Sequence, residues 1–114
     1  MRISKTRVSR VVSVYDGDTF RADIDTWPKL FGYHIPIRIR GINAPEKNHP
    51  DPVQALIGQK AQEHLFKRLI NAKEILLIDV ERGKYFRLVA TVTADGVCLG
   101  RELVTLGLAE PYKF

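Results

Sequence analysis

Short runs of β type fill the first third of the chain, a helical period takes over in the middle, and β runs return towards the end. Residues 8–15 (Val8 to Tyr15) are rich in valine and predict a first strand. Asp16-Gly17 follows as a hairpin signal, because such a turn needs positive φ and these residues tolerate it. Residues 18–24 (Asp18 to Ile24) predict the return strand, with Asp18 at the mouth of the hairpin. Residues 25–34 predict a loop crowded with Trp27, Leu30, Phe31 and Tyr33, which is expected to fold back over the core rather than stack on a ligand base. Ile35, Ile37 and Ile39 then alternate with Arg38 and Arg40, as one apolar and one basic face of a third strand. The pattern stops at Gly41, and the prolines at 45, 50 and 52 predict an irregular loop.

From Val53 to Asn71 the period is helical. Ile57, Ala61, Leu65 and Leu69 recur at every fourth position, and Phe66 and Ile70 widen the stripe. Residues 74–80 are nearly all apolar and predict a strand covered on both faces. Residues 81–85 predict a polar turn, residues 86–93 a strand, and Ala94-Asp95-Gly96 a second hairpin. A short helix over residues 100–106 presents Leu99, Leu103 and Leu106 to one side and ends at Gly107. Residues 108–114 predict an extended tail. Three strands, a helix and two more strands are the order of the OB-fold. The expectation is an α+β chain: a five-stranded barrel with one long and one short helix.

Length and charge sharpen this. The chain has 114 residues with no repeat or composition shift, so a single domain over 1–114 is expected. Its formal charge of +5 favours an anionic partner, nucleic acid before membrane. The single cysteine, Cys98, excludes an internal disulfide and reads as a small buried residue. No apolar run approaches the ~20 residues of a membrane span. The basic start, Met1 to Arg7, has no apolar segment behind it, so a cytoplasmic protein is expected, or an exported one whose leader was removed. His34, His49 and His64 lack metal-ligand spacing and read as surface residues.

The stretch from Ile37 to Glu46 carries the candidate chemistry. Arginine's planar fork matches phosphate oxygens, and a nearby glutamate can take a proton from water. A strand with one wet basic face and a solvated loop glutamate would read the same. Asp18, likewise, is either a turn former or a ligand.

Five motifs resolve these alternatives. Asp16-Gly17-Asp18-Thr19, then Arg38 with Asn43-Ala44-Pro45-Glu46, then Lys84-Tyr85-Phe86-Arg87, Ala94-Asp95-Gly96 and Gly107-Leu108-Ala109 occur in order and at suitable spacing. Together, from Val8 to Ala109, they resemble the staphylococcal (micrococcal, thermonuclease-like) nuclease family. The resemblance implies a Ca²⁺-dependent phosphodiesterase on DNA and RNA with little sequence preference, single strands favoured, acting as a monomer without membrane partners. It implies Arg38, Glu46 and Arg87 as catalytic residues. The metal would sit at Asp18, Asn43 and the Ala44 carbonyl. Lys84 and Tyr85 would contact a terminal phosphate, and Tyr112 would stack on a base.

One position departs from the family pattern. Asn43 stands where a second metal-binding aspartate is usual, so Ca²⁺ affinity is expected to be lower. Two readings follow: an active nuclease with a weakened ion site, or a nucleic-acid-binding barrel that has lost catalysis. Retention of Asp18, Arg38, Glu46 and Arg87 favours the first.

Overall fold

The valine- and isoleucine-rich runs do form strands, and pairing them around one apolar core sets the architecture. The computed structural model describes residues 2–112. In chain order the elements are β1 (Arg2–Arg7), β2 (Arg10–Asp16), β3 (Thr19–Asp23), α1 (Lys29–Gly32), β4 (Ile35–Ile39) and β5 (Ile42–Asn43). There follow α2 (Pro52–Ile70), β6 (Ile75–Arg82), a 3₁₀ turn (Lys84–Phe86), β7 (Leu88–Ala94), β8 (Val97–Cys98), α3 (Leu99–Thr105) and β9 (Glu110–Pro111). Lys113 and Phe114, at the end of the expected extended tail, lie outside the described residues.

The main sheet runs β1-β6-β7-β4-β3-β2, with β8 beside β7, and only the β4–β7 pair is parallel. Its two ends, β1 and β2, are consecutive in the chain. At the bend between them the Val8 N–H donates to Ile75 O at 2.9 Å and the Ser9 N–H to Asp23 O at 2.8 Å. One long strand therefore changes partner midway, its first half bonded to β6 and its second to β3. Phe20, Ile37, Ile39, Leu77 and Val92 fill the interior, and α2 and α3 add Leu65, Leu69, Leu99 and Leu103. Burying that many large side chains, at ~1.5–3 kcal/mol each, is the main drive for this arrangement.

The α+β class is borne out, and the bent strand linking the two ends of the sheet is consistent with the expected barrel. Among the described residues there are nine strands and three helices, and no ladder joins β1 to β2, so the sheet is not closed by hydrogen bonds. The first strand begins earlier than expected because Arg2–Arg7 pairs as an edge, where alternating charge is tolerated. The loop after β3 contains α1, and only Trp27 of its large apolar residues packs on the core. Leu30, Phe31 and Tyr33 are exposed.

Helix α2 matches its predicted bounds to within a residue. Asp51 caps it by accepting from the Val53 N–H at 3.0 Å, and Pro52 sits in its first turn. Gly58, Ala61, Leu65 and Leu69 are its buried residues. Phe66 and Ile70 are exposed, so the stripe is narrower than their apolarity suggested, and Leu106 after α3 is exposed too. Phe86, expected to open a strand, belongs to the 3₁₀ turn, and β7 begins at Leu88.

The first hairpin also differs in mechanism. Asp16 pairs with Thr19 across a Gly17-Asp18 tip, yet Gly17 does not have positive φ. Glycine is required there by space: a Cβ would stand 2.5 Å from the Ala61 Cβ of α2. The hairpin tip is thus pressed against the helix.

Candidate active site

Strand β4 ends beside the hairpin tip, because Thr19 pairs with Arg38 and the Ile39 N–H donates to Asp18 O at 2.8 Å. This brings Asp18 and Arg38 face to face, both buried. Arg38 Nη1 lies 2.6 Å from Asp18 Oδ2. The same carboxylate oxygen accepts from the Ala44 N–H at 2.9 Å, and Oδ1 accepts from the Thr19 hydroxyl at 2.9 Å. Arg38 Nη2 donates to Ile42 O at 3.1 Å and to Asn43 Oδ1 at 3.3 Å. The expected wet, basic face of β4 is therefore a packed ion pair at this position. Charge-assisted bonds of this kind are strong and directional, so Arg38 is held in one pose.

Arg40 does something else. Its guanidinium donates to Asp79 O at 2.6 Å, Val89 O at 3.2 Å and Glu81 Oε1 at 3.1 Å. The β6–β7 ladder shifts register between Ile78 and Glu81, with Asp79 at φ 52°. Such a bulge leaves carbonyls unpaired, and Arg40 satisfies them. Only one of the two arginines first read as a phosphate clamp faces Asp18.

Glu46 lies exposed on the loop after β5, held because Gly58 lets α2 close on the backbone of Pro45 and Glu46. The residue missed by sequence reasoning is Asp16. It is buried, and burial above all pushes its carboxyl up from the ordinary range. The Lys47 N–H, at 3.4 Å, opposes this, while the charges of Asp18 and Glu46 push further up. Asp16 had been read only as a turn residue. The DGDT spacing holds the signal, since a two-residue tip sets both carboxylates at one end of the hairpin.

Arg87 follows the 3₁₀ turn, and its Nε is buried without a hydrogen-bond partner. A buried donor left open is costly unless a ligand fills it. Lys84 is exposed one turn earlier, and the side chain of Tyr85 lies outside the described part of the structure. The C-terminal segment returns to the site: β9 pairs with β5, placing Asn43 opposite Glu110, and the Tyr112 N–H donates to Gly41 O at 2.8 Å. The Tyr112 ring centroid then lies 6.0 Å from Arg38 Cζ. A groove of about 540 Å³ runs past Asn43, Glu46 and His49 to Leu108 and Glu110.

Oxygen donors dominate this corner: three carboxylates and the Asn43 amide. They suit a hard divalent cation, which would also favour the ionised form of the Asp16 carboxyl that burial pushes up. Among the described residues no three Asp, Glu, His or Cys side chains converge as a ready shell. A cation would thus need the Asn43 oxygen or a backbone carbonyl as well. The histidines do not gather either. His64 is not a free surface residue: its Nε2 lies 2.7 Å from Glu102 Oε2, joining α2 to α3.

Comparison with known proteins finds a family and a relative. The family model described as staphylococcal nuclease homologue matches residues 36–114, from β4 to the end of the chain. A Schizosaccharomyces pombe protein named as a probable endonuclease is 28% identical over 132 residues, covering 96% of this chain and 57% of its own length. The chain thus spans little more than half of that relative.

Proposed function

This chain belongs to the staphylococcal nuclease family, and from that premise we propose that it is a metal-dependent phosphodiesterase hydrolysing DNA or RNA with low sequence specificity. The observation that carries the reading is the Asp18 carboxylate holding the Arg38 guanidinium and the Ala44 amide at once. It ties the strand bearing the arginine to the loop bearing Glu46.

In this reading Arg38, already held in place by Asp18, and Arg87 stabilise the charge that builds on the phosphoryl oxygens. The 3.3 Å bond from Arg38 to Asn43 is the one an anionic phosphate replaces. Glu46, exposed to solvent, orients the attacking water and takes its proton. Lys84 and Tyr85 hold a neighbouring phosphate, and Tyr112 offers a ring to a base. Asp18, Asn43 and the Ala44 carbonyl, with Asp16 beside them, would hold Ca²⁺, which supplies Lewis-acid polarisation of a phosphoryl oxygen when bound.

A second reading, a non-catalytic nucleic-acid-binding module, draws on one observation: Asn43 brings no charge and is already bonded to Arg38. Incubation with denatured DNA and with RNA, in millimolar Ca²⁺ and in chelator, separates the two. Calcium-dependent cleavage that falls at least about 10²-fold in Glu46→Gln supports the nuclease. Salt-sensitive binding of single strands without cleavage would favour the module.

A further inference from the structure

A second cavity, of about 530 Å³, lies between the loop carrying α1 and the end of β6, lined by Ile3, Trp27, Phe31, Val80, Phe86 and Leu88 among others. That volume is within the roughly 300–1,000 Å³ of ligand pockets, which are mostly apolar with a few polar groups. Its charged residues are Glu81 and Arg82. Glu81 is answered inside the protein by Arg40 at 3.1 Å, whereas Arg82 lies over the Phe86 ring, 5.1 Å from its centroid. Exposed Lys29 and Lys84 flank the rim in sequence. The cavity is therefore apolar and aromatic within, with Arg82 as its cationic lining residue.

Val80 and Leu88 of this lining belong to the core, but the fold makes little use of Leu30, Phe31 and Phe86. Leu30 is 86% and Phe86 77% exposed. Phe86 also holds φ 61°, a conformation uncommon for a bulky residue. Strained, exposed aromatics are found where a ligand makes use of them. Phe86 lies between Lys84 and Arg87 in the chain, one residue from the arginine assigned to the phosphate.

We propose that this cavity is a base-binding subsite that takes unpaired bases of a single-stranded nucleic acid, stacked against Phe86 and Phe31, with Arg82 and Lys84 on its phosphates. Flat apolar faces joined by an anionic backbone match an aromatic floor with an arginine in its lining. In a duplex those faces are stacked on one another and do not reach it. The subsite thus selects single strands for the site described above, and it rests on the nuclease reading.

Trp27, the chain's single tryptophan, lines this cavity and reports its occupancy without any cleavage. The Glu46→Gln protein is titrated with a fluorescein-labelled thymidylate oligomer, reading label anisotropy and Trp27 emission together. The expected result is salt-sensitive binding with quenched Trp27 emission, weakened about tenfold or more by Phe86→Ser or Phe31→Ser. Arg82→Glu, a change at an exposed position, weakens it as well. Binding by anisotropy with unchanged Trp27 emission, or with affinity unaffected by these substitutions, overturns the subsite while leaving the nuclease reading intact. If the oligomer does not bind and the unsubstituted protein does not cleave, the nuclease reading fails and takes the subsite with it. A shift of Trp27 emission with phosphatidylglycerol vesicles but not with the oligomer assigns the cavity to a membrane surface. A dimer in sedimentation that Phe31→Ser dissolves assigns it to a second copy of the chain. Either overturns the proposal.

Discussion

Gly58 of α2 stands against the backbone of Glu46: a Cβ placed on it would lie 2.7 Å from the Glu46 carbonyl oxygen and 2.6 Å from that of Pro45. Both contacts are with backbone, so the helix or the loop must move to admit a methyl group. Gly58→Ala is expected to cost about 1–3 kcal/mol of stability, the scale of overpacking. A displacement of about an ångström at Glu46 would lower turnover by about 10²-fold. Thermal unfolding and nuclease kinetics on one preparation check both. Unchanged turnover would detach the loop's position from the chemistry.

Removing one member of the buried Asp18–Arg38 pair strands the other. Asp18→Ala is expected to destabilise the fold by about 3–5 kcal/mol in urea unfolding. The double variant with Arg38→Met, an apolar side chain of similar length, recovers much of that loss. No recovery would mean that Asp18 acts mainly through the Ala44 and Thr19 bonds.

Asn43→Asp adds a carboxylate beside Asp18 and Glu46. It is expected to raise Ca²⁺ affinity about tenfold or more, since ligand charge sets affinity in such sites. Without the cation, the new carboxylate faces Arg38, its present hydrogen-bond partner, so the melting temperature in chelator changes little. Calorimetric Ca²⁺ titration and melting in chelator read the two effects separately. Equal affinities in both proteins would place the ion away from this residue.

Asp23 fixes the base of the aromatic loop. It accepts from the His34 N–H at 2.7 Å and from Arg10 Nε at 2.8 Å, and both hold its carboxyl below the ordinary range, the His34 bond most. The unfolded chain takes up this proton near the ordinary ~3.9, the folded one only at lower pH. Its stabilisation is therefore fully present above that value and is lost as pH falls through the folded one. Asp23→Asn is expected to be less stable than the parent at neutral pH, with the two curves converging in acid. Urea unfolding across pH checks it; parallel curves would rule out the charge as the cause.

Much of this fold was legible because single stretches carry their own signals. The Ile57-Ala61-Leu65-Leu69 period marks α2, and the second hairpin is there, with Ala94 paired to Val97 and Asp95 at φ 50°. What escaped depends on neighbours distant in sequence. Arg38 and Arg40 look alike on β4, and only the β6–β7 bulge separates their tasks. Phe66 and Ile70 are as apolar as Leu65 and Leu69, but no packed element covers that side of α2. Asp16 read as turn chemistry because Glu46 and Lys47, which define its surroundings, lie about thirty residues away.

The bend at Val8 and Ser9 has a consequence for the integrity of the molecule. Because β1 covers β6 along its length, cleavage of the chain at the bend would uncover a row of unpaired amides and carbonyls on a strand rich in isoleucine and leucine. Such an edge recruits strands from other molecules. Proteolytic trimming of the first seven residues would thus turn the folded molecule into a seed for intermolecular strand exchange.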